Sequence, residues 1–240
     1  DADRLGVIDE YGNYLHANVL LVILYYYLLK YRGWKGPCVR NCSTTHLLDT
    51  LLDMGVNVVS IMSPEHGFRG VADAGEHVSS SIDPDTGIPI RSLYESGVNR
   101  PSDESMAEFD VMVFDLQDVG VRFYTYNATM ARMMDACAQF GKKMIVLDRP
   151  NPLGYYVDGP ILDMKYKSGV GWLPVPVVHG MTLGELALMI NGEGWLKDGI
   201  QCDLTVVPCK NYTRDMEYVL PIKPSPNLPD MRSIYLYPST

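Results

Sequence analysis

The sequence lacks an excess of basic residues and the glycine-rich motifs of nucleotide-binding proteins. It contains 20 lysine and arginine residues against 29 aspartate and glutamate residues, and its formal net charge is −9 at pH 7. Proteins that bind nucleic acids neutralise phosphates with clustered lysine and arginine, so this balance argues against a nucleic-acid partner. Neither GxGxxG nor GxxxxGK(S/T) occurs in the sequence, and we therefore expect no nucleotide cofactor.

Cysteines and long apolar runs are also scarce. The five cysteines form no paired CxxC framework, which is poor evidence for a disulfide scaffold. The apolar run at residues 17–29 is shorter than the roughly 20 residues that a membrane-spanning helix needs. Acidic Asp9 and Glu10 precede it, where a signal peptide would carry basic residues. We expect no stable membrane insertion, and no signal peptide is visible.

Short apolar segments alternate with amphipathic ones over most of the chain. The segments with strand character are residues 56–62, 110–116, 142–148 and 203–209, and PVPVV at 174–178 is read in the same way. The segments with helical periodicity are residues 46–54, residues 128–141 and the stretch after Thr182, where Thr182 and Glu185 form a capping box. This alternation predicts an α/β fold with a mostly parallel sheet and helices on both faces.

Polar clusters follow four of the predicted strands. They are SPEHG, QDVGVRFYTY, DRPNPLG and HGMT. Ligands of parallel sheets bind outside the carboxyl ends of the strands, so these loops are expected to converge on one cleft.

The first cluster holds two carboxylates and two imidazoles within a glycine-punctuated loop. Glu65 and His66 are typical of a general acid or base at a strand end, but Glu65 could instead pair with Arg69 or cap a helix. Glu76 is the obvious partner carboxylate, and its alternative is a solvated loop charge.

The second cluster combines acidic, basic and aromatic groups. Asp118 is expected to face the cleft, whereas Asp115 is expected to hold a loop. Arg122 and Tyr124 could bind an anionic, ring-shaped ligand by charge-assisted hydrogen bonds and stacking, although core packing is an equal alternative for the aromatic residues.

The remaining clusters are less specific. Asn151 lies in a loop that prolines make rigid, and Arg149 could simply form an ion pair. His179 could be a base, a ligand or a satisfied buried histidine. A metal site of His66, Asp118 and His179 is conceivable, but no HxH or HExxH spacing supports it, and we assign no metal ligands.

The order of these motifs resembles a bacterial family long catalogued as a domain of unknown function and now associated with exo-acting β-N-acetylmuramidases. The motifs SPEHGFRG, AGE, DVMVFDLQDVGVRFYTY, VLDRPNPLG, PVPVVHGMTLGELA and PSPNLP carry the resemblance from about residue 44 onward. It implies a glycoside hydrolase of cell-wall turnover that releases terminal N-acetylmuramic acid from the non-reducing ends of peptidoglycan fragments. It also implies a Rossmann-like domain, no cofactor, and a periplasmic or secreted location.

The resemblance also assigns roles to individual positions. Glu65 falls at the family's catalytic glutamate, and the catalytic group is expected to comprise Glu65, His66, Glu76 and Asp118. The residues expected to bind the sugar are Arg69, Arg122, Tyr124, Arg149, Asn151 and His179. Arg122 or Arg149 could clamp the lactyl carboxylate of N-acetylmuramic acid.

Three segments are expected on this basis. Residues 1–43 do not match the family and lack the apolar continuity of its first strand, residues 44–200 form the Rossmann-like catalytic domain, and residues 201–240 begin a smaller α+β domain that is truncated. Two other functions stay open: a non-catalytic binder of muropeptides or acidic sugars, and a metal-dependent hydrolase.

Overall fold

A seven-stranded sheet forms the centre of the protein. The computed structural model describes residues 7–8, 14–15, 38–41, 48, 51–53, 55–64, 80–93 and 100–239. The strands of this sheet are β3 (Cys38–Asn41), β4 (Val58–Ser63), β5 (Ser81–Ile82), β6 (Pro89–Ser92), β7 (Val111–Phe114), β8 (Lys143–Leu147) and β9 (Asp203–Val207). Two further strands, β1 (Val7–Ile8) and β2 (Tyr14–Leu15), pair with each other in an antiparallel ribbon.

The sheet has the strand order of a Rossmann fold. Its order is β5-β6-β4-β3-β7-β8-β9, and every pair is parallel except the edge pair of β5 and β6. Counted in chain order, the six parallel strands lie in the order 3-2-1-4-5-6, which is that of dinucleotide-binding Rossmann domains. The order reverses between β3 and β7, so the carboxyl ends of these two strands mark the expected ligand-binding crevice.

The sheet is buried on both faces, as the apolar strands predict. All four residues of β7 are buried, and they alternate between two apolar clusters. Met112 and Phe114 pack in the cluster that contains the later helices, whereas Val111 and Val113 pack in the cluster that contains Leu48. This two-sided burial explains why the strand reads as a continuous apolar run.

Helices cover both faces. Four of them pack in the apolar cluster that contains Met112 and Phe114: α1 (Asp103–Ala107), α2 (Tyr126–Gln139), α3 (Leu183–Gly192) and α4 (Met231–Leu236). Residues 48 and 51–53 are also helical and pack in the cluster on the other face of the sheet. Short 3-10 turns occur at Met164–Tyr166, Lys197–Gly199 and Tyr237–Ser239. The predicted capping box is confirmed, because Thr182 accepts a hydrogen bond from the backbone of Glu185 and the Glu185 side chain accepts one from Thr182. Among the described residues, no helix is long and apolar enough to cross a membrane.

Two expectations about strands and one about a domain boundary need correction. PVPVV is not a strand of the sheet; only Val178 of this segment forms isolated bridges, to Val121 and Asp158. Pro174 and Pro176 explain the difference, because a proline has no N–H to donate to a ladder.

The other two corrections concern the ends of the Rossmann-like region. A strand does precede residue 44: β3 pairs with β4 on one side and β7 on the other, so backbone pairing defines it without a long apolar run. At the other end, β9 pairs with β8 in the same sheet. The Rossmann-like region therefore extends beyond the expected domain boundary at residue 200 and includes β9.

Candidate functional site

The candidate site residues divide into two groups. Glu65, His66, Arg69 and Glu76 lie outside the described residues, and their roles stay predictions. The other six are described, and all of them lie on the loops after β7 and β8 or on the segment that leads into α3: Asp118, Arg122, Tyr124, Arg149, Asn151 and His179. The structure therefore brings three of the four predicted loops to one edge of the sheet.

Asp118 and His179 lie side by side in the interior. Asp118 Oδ2 accepts a hydrogen bond of 2.8 Å from the backbone N–H of Gly120. His179 Nε2 lies 3.7 Å from the same oxygen, and both side chains are buried. This distance is too long for a hydrogen bond, although it keeps the two groups within electrostatic contact.

The imidazole of His179 has a defined orientation. Its Nδ1 accepts a hydrogen bond of 3.3 Å from the backbone N–H of Met181, so the hydrogen of the neutral ring is on Nε2. The backbone N–H of His179 donates to the carbonyl of Gly120 at 3.3 Å, which ties this segment to the loop that carries Asp118.

Asn151 connects the two loops of this pair. Its Nδ2 donates to the carbonyl of Met181 at 2.9 Å, and its Oδ1 accepts from the backbone N–H of Leu153 at 2.8 Å. Gly120 packs directly against it: a Cβ at Gly120 would lie 2.3 Å from Asn151 Oδ1, and the φ of Gly120 is +77°. Asn151 thus supports the Asp118–His179 pair through its contacts with Gly120 and Met181, and its expected contact with a sugar stays a prediction.

Arg149 forms the ion pair that the sequence left open. Its Nε donates to Oδ1 of buried Asp115 at 2.7 Å. Burial opposes the charge of Arg149, but the attraction of Asp115 and the hydrogen bond between them outweigh it and raise the pKa of the guanidinium. Asp115 therefore holds a loop, as expected, through its ion pair with Arg149.

Asp148 fixes the start of α3 beside this ion pair. Its carboxylate accepts hydrogen bonds of 2.7 Å from both the backbone N–H of Gly184 and the hydroxyl of Thr182. Burial raises the pKa of Asp148, although these hydrogen bonds oppose the shift. The sequence pattern did not indicate this role, since the contact spans 36 residues.

Arg122 and Tyr124 make contacts within the protein. Nη1 of Arg122 donates to the carbonyls of Pro160 and Val175 at 2.8 and 2.7 Å, and partial burial lowers the pKa of its guanidinium. The hydroxyl of Tyr124 donates to the backbone carbonyl of Pro224 at 3.0 Å, and burial raises the pKa of this hydroxyl well above 10.0.

Tyr124 also has an aromatic neighbour. Its ring makes an edge-to-face contact with that of Tyr126, with the ring centroids 5.0 Å apart. These contacts favour the core-packing alternative for Tyr124, while its predicted role in sugar binding is not tested.

Asn127 is a structural residue of this region that the sequence analysis missed. Its buried Nδ2 donates to the carbonyls of Val121, Arg122 and Tyr124 at 3.3, 3.1 and 2.7 Å, and so fixes the loop after β7. The available signal was a polar side chain at the start of an otherwise apolar helix.

Among the described residues, no group of three His, Cys, Asp or Glu side chains could hold a metal ion.

Comparisons with known proteins agree with this architecture. The peptidoglycan beta-N-acetylmuramidase NamZ of Bacillus subtilis strain 168 is 44% identical over 211 residues, which cover 85% of this chain and 50% of that protein. The crystal structures of two DUF1343 family proteins from Bacteroides fragilis each match 90% of this chain. One is 55% identical with a TM-score of 0.78, and the other is 35% identical with a TM-score of 0.77.

These relatives are longer than the chain. The chain spans about half of the Bacillus protein and 58% and 57% of the two Bacteroides chains. The family model described as "Exo-beta-N-acetylmuramidase NamZ, N-terminal" matches residues 37–232, which include β3 and β9. On this match and the identity to the Bacillus protein, the chain belongs to the NamZ N-terminal family.

Proposed function

We propose that this chain acts in a glycoside hydrolase that releases terminal N-acetylmuramic acid from the non-reducing ends of peptidoglycan fragments. The observation that carries the proposal is the 44% identity, over 85% of the chain, to a peptidoglycan beta-N-acetylmuramidase. We also propose that it acts in the cell envelope, in the periplasm or after secretion, because its substrate is part of the cell wall.

Glycoside hydrolysis requires an acid that protonates the leaving oxygen and a second group that aids water or stabilises the cation-like transition state. Glu65 is our proposed acid, since in the sequence it comes two residues after Ser63, the carboxyl end of β4, and ligands of Rossmann folds bind at the carboxyl ends of the strands. Asp118, His66 and Glu76 are the candidates for the second group. Asp118 is supported by its position after β7, beside the point where the strand order reverses.

Arg122 is the better candidate for the clamp on the lactyl carboxylate. Arg149 is already paired with Asp115. In contrast, the side-chain hydrogen bonds of Arg122 within the described part of the chain both use Nη1, and its side chain is partly exposed. Its Nε and Nη2 hydrogens can form the two-pronged contact that a carboxylate prefers.

The test is the release of nitrophenol from para-nitrophenyl N-acetylmuramide. We expect Glu65→Gln to abolish release while binding of N-acetylmuramic acid is retained. Glu193→Gln, at an exposed carboxylate after α3, is the matched control and should leave release unchanged. Full release by Glu65→Gln would contradict the assignment of the acid. Binding of the sugar without turnover by the unmodified chain would favour the non-catalytic alternative, and loss of turnover with a chelator would favour a metal-dependent hydrolase.

The clamp has its own test. Arg122→Lys should weaken binding of N-acetylmuramic acid more than binding of N-acetylglucosamine, because only the former carries the lactyl carboxylate. An equal loss for both sugars would mean that Arg122 acts through the loop and does not contact the carboxylate.

A further inference from the structure

Two polar atoms of the buried Asp118–His179 pair lack hydrogen-bond partners. These atoms are Asp118 Oδ1 and His179 Nε2, and within the described part of the chain no group satisfies either of them. The side chain of His179 is 0% exposed and that of Asp118 is 7% exposed. Buried polar atoms are nearly always hydrogen-bonded in folded proteins, so two unmet atoms on adjacent side chains call for a common explanation.

The two atoms are chemically complementary to a hydroxyl group. Nε2 of His179 carries the ring hydrogen, because Nδ1 accepts the N–H of Met181. Both oxygens of an ionised carboxylate accept hydrogen bonds, and since Oδ2 of Asp118 already accepts the N–H of Gly120, Oδ1 is the acceptor that is left without a donor. A hydroxyl oxygen can accept from the first and donate its hydrogen to the second at the same time.

The pair is held firmly from behind. Gly120 fixes the carboxylate, Met181 fixes the imidazole, and Asn151 contacts both of these residues. Side chains that bind a ligand are typically locked in this way by a supporting set of hydrogen bonds.

Other unmet buried atoms of the described chain do not share this arrangement. Ser60 Oγ, Arg100 Nη1 and Asn127 Oδ1 are also buried without a partner. Only for Asp118 and His179 is a close approach of two such side chains observed in the described part of the chain, at 3.7 Å. Asp118, in addition, follows β7, one of the two strands that flank the switch in strand order.

We infer that Asp118 and His179 form a subsite for one hydroxyl oxygen, which His179 Nε2 donates to and Asp118 Oδ1 accepts from. The hydroxyl belongs either to a resident water molecule or to the sugar. The sugar as its source rests on the proposed function, whereas the subsite itself does not.

The first experiment is a high-resolution crystal structure of the chain without sugar. We expect an oxygen within about 2.6–3.2 Å of both Asp118 Oδ1 and His179 Nε2. A direct hydrogen bond between the two side chains, or no oxygen between them, would overturn the inference. This result does not depend on turnover, so a chain that releases no nitrophenol would count against the proposed function alone.

The second experiment repeats the structure with N-acetylmuramic acid and measures its affinity by calorimetry. If the sugar supplies the hydroxyl, its oxygen replaces the water, and His179→Phe weakens binding by about tenfold, the value of one net hydrogen bond. If the water is resident, it stays in place and His179→Phe leaves the affinity unchanged. Ser60→Ala, which removes another unmet buried atom, is the control and should not alter the affinity in either case.

Discussion

Replacement of Asn151 by alanine should be among the most destabilising single changes at the sheet edge. It removes the partners of the Met181 carbonyl and the Leu153 N–H, which Asn151 binds at 2.9 and 2.8 Å. Asn151 is 3% exposed, so water cannot readily replace it. Each unsatisfied buried group costs about 1–3 kcal/mol, and we expect the free energy of unfolding to fall by roughly 3–4 kcal/mol.

Asn191 offers a matched control with the same pair of bonds. Its Nδ2 donates to the carbonyl of Cys202 at 3.1 Å and its Oδ1 accepts the N–H of the same residue at 2.8 Å. Asn191 is half-buried and lies in α3, where alanine is the better helix former by up to about 0.7 kcal/mol. We therefore expect Asn191→Ala to cost only about 1–2 kcal/mol.

Urea denaturation monitored by tryptophan fluorescence measures both values. If Asn151→Ala lowers the free energy of unfolding by no more than Asn191→Ala does, Asn151 does not stabilise this region as the geometry indicates.

A double variant gives a second check. Gly120→Ala places a Cβ 2.3 Å from Asn151 Oδ1, and removal of that side chain relieves the clash. The double variant Gly120→Ala with Asn151→Ala should thus be less destabilised than the sum of the two single variants. Strict additivity would refute the contact.

Two further predictions concern α3 and its surroundings. Gly184→Ala should lower the melting temperature, because the new Cβ would lie 2.6 Å from Asp148 Cγ. Gly192→Ala in the same helix should raise the melting temperature, because its Cβ would meet nothing within 4 Å and alanine is the better helix former. Shifts in the same direction for both variants would contradict this prediction. Burial raises the pKa of Cys209 from 9.0 to about 12, so iodoacetamide at pH 8 should modify it about a thousandfold more slowly than in the unfolded chain. Its labelling rate should rise as the pH approaches 12, and a rate at pH 8 equal to that of the unfolded chain would show that the thiol is not buried.

The sequence predicted the elements whose signals are local. The Thr182–Glu185 capping box lies within four residues, and β7 shows its two-sided burial as a continuous apolar run. PVPVV was misread because its apolar residues outweighed the two missing N–H groups of Pro174 and Pro176. The strand β3 was missed because its place in the sheet comes from pairing with residues far along the chain.

The candidate site shows the same division. The rule that ligands bind at the carboxyl ends of parallel strands placed Asp118 and Arg149 on one edge of the sheet, as observed. The use of each side chain depended on tertiary contacts. Asn151 reaches Met181 across 30 residues and Arg149 reaches Asp115 across 34, and no local pattern encodes either contact.

The place of β3 in the sheet has a consequence for folding kinetics. This strand comes first among the parallel strands and lies in the middle, where residue 39 pairs with residue 112. Pairing of β3 with β7 therefore closes a loop far longer than the one between β3 and β4, and such non-local closure slows folding. We expect refolding on the slow side for a domain of this size, with the β3–β7 pairing close to its rate-limiting step.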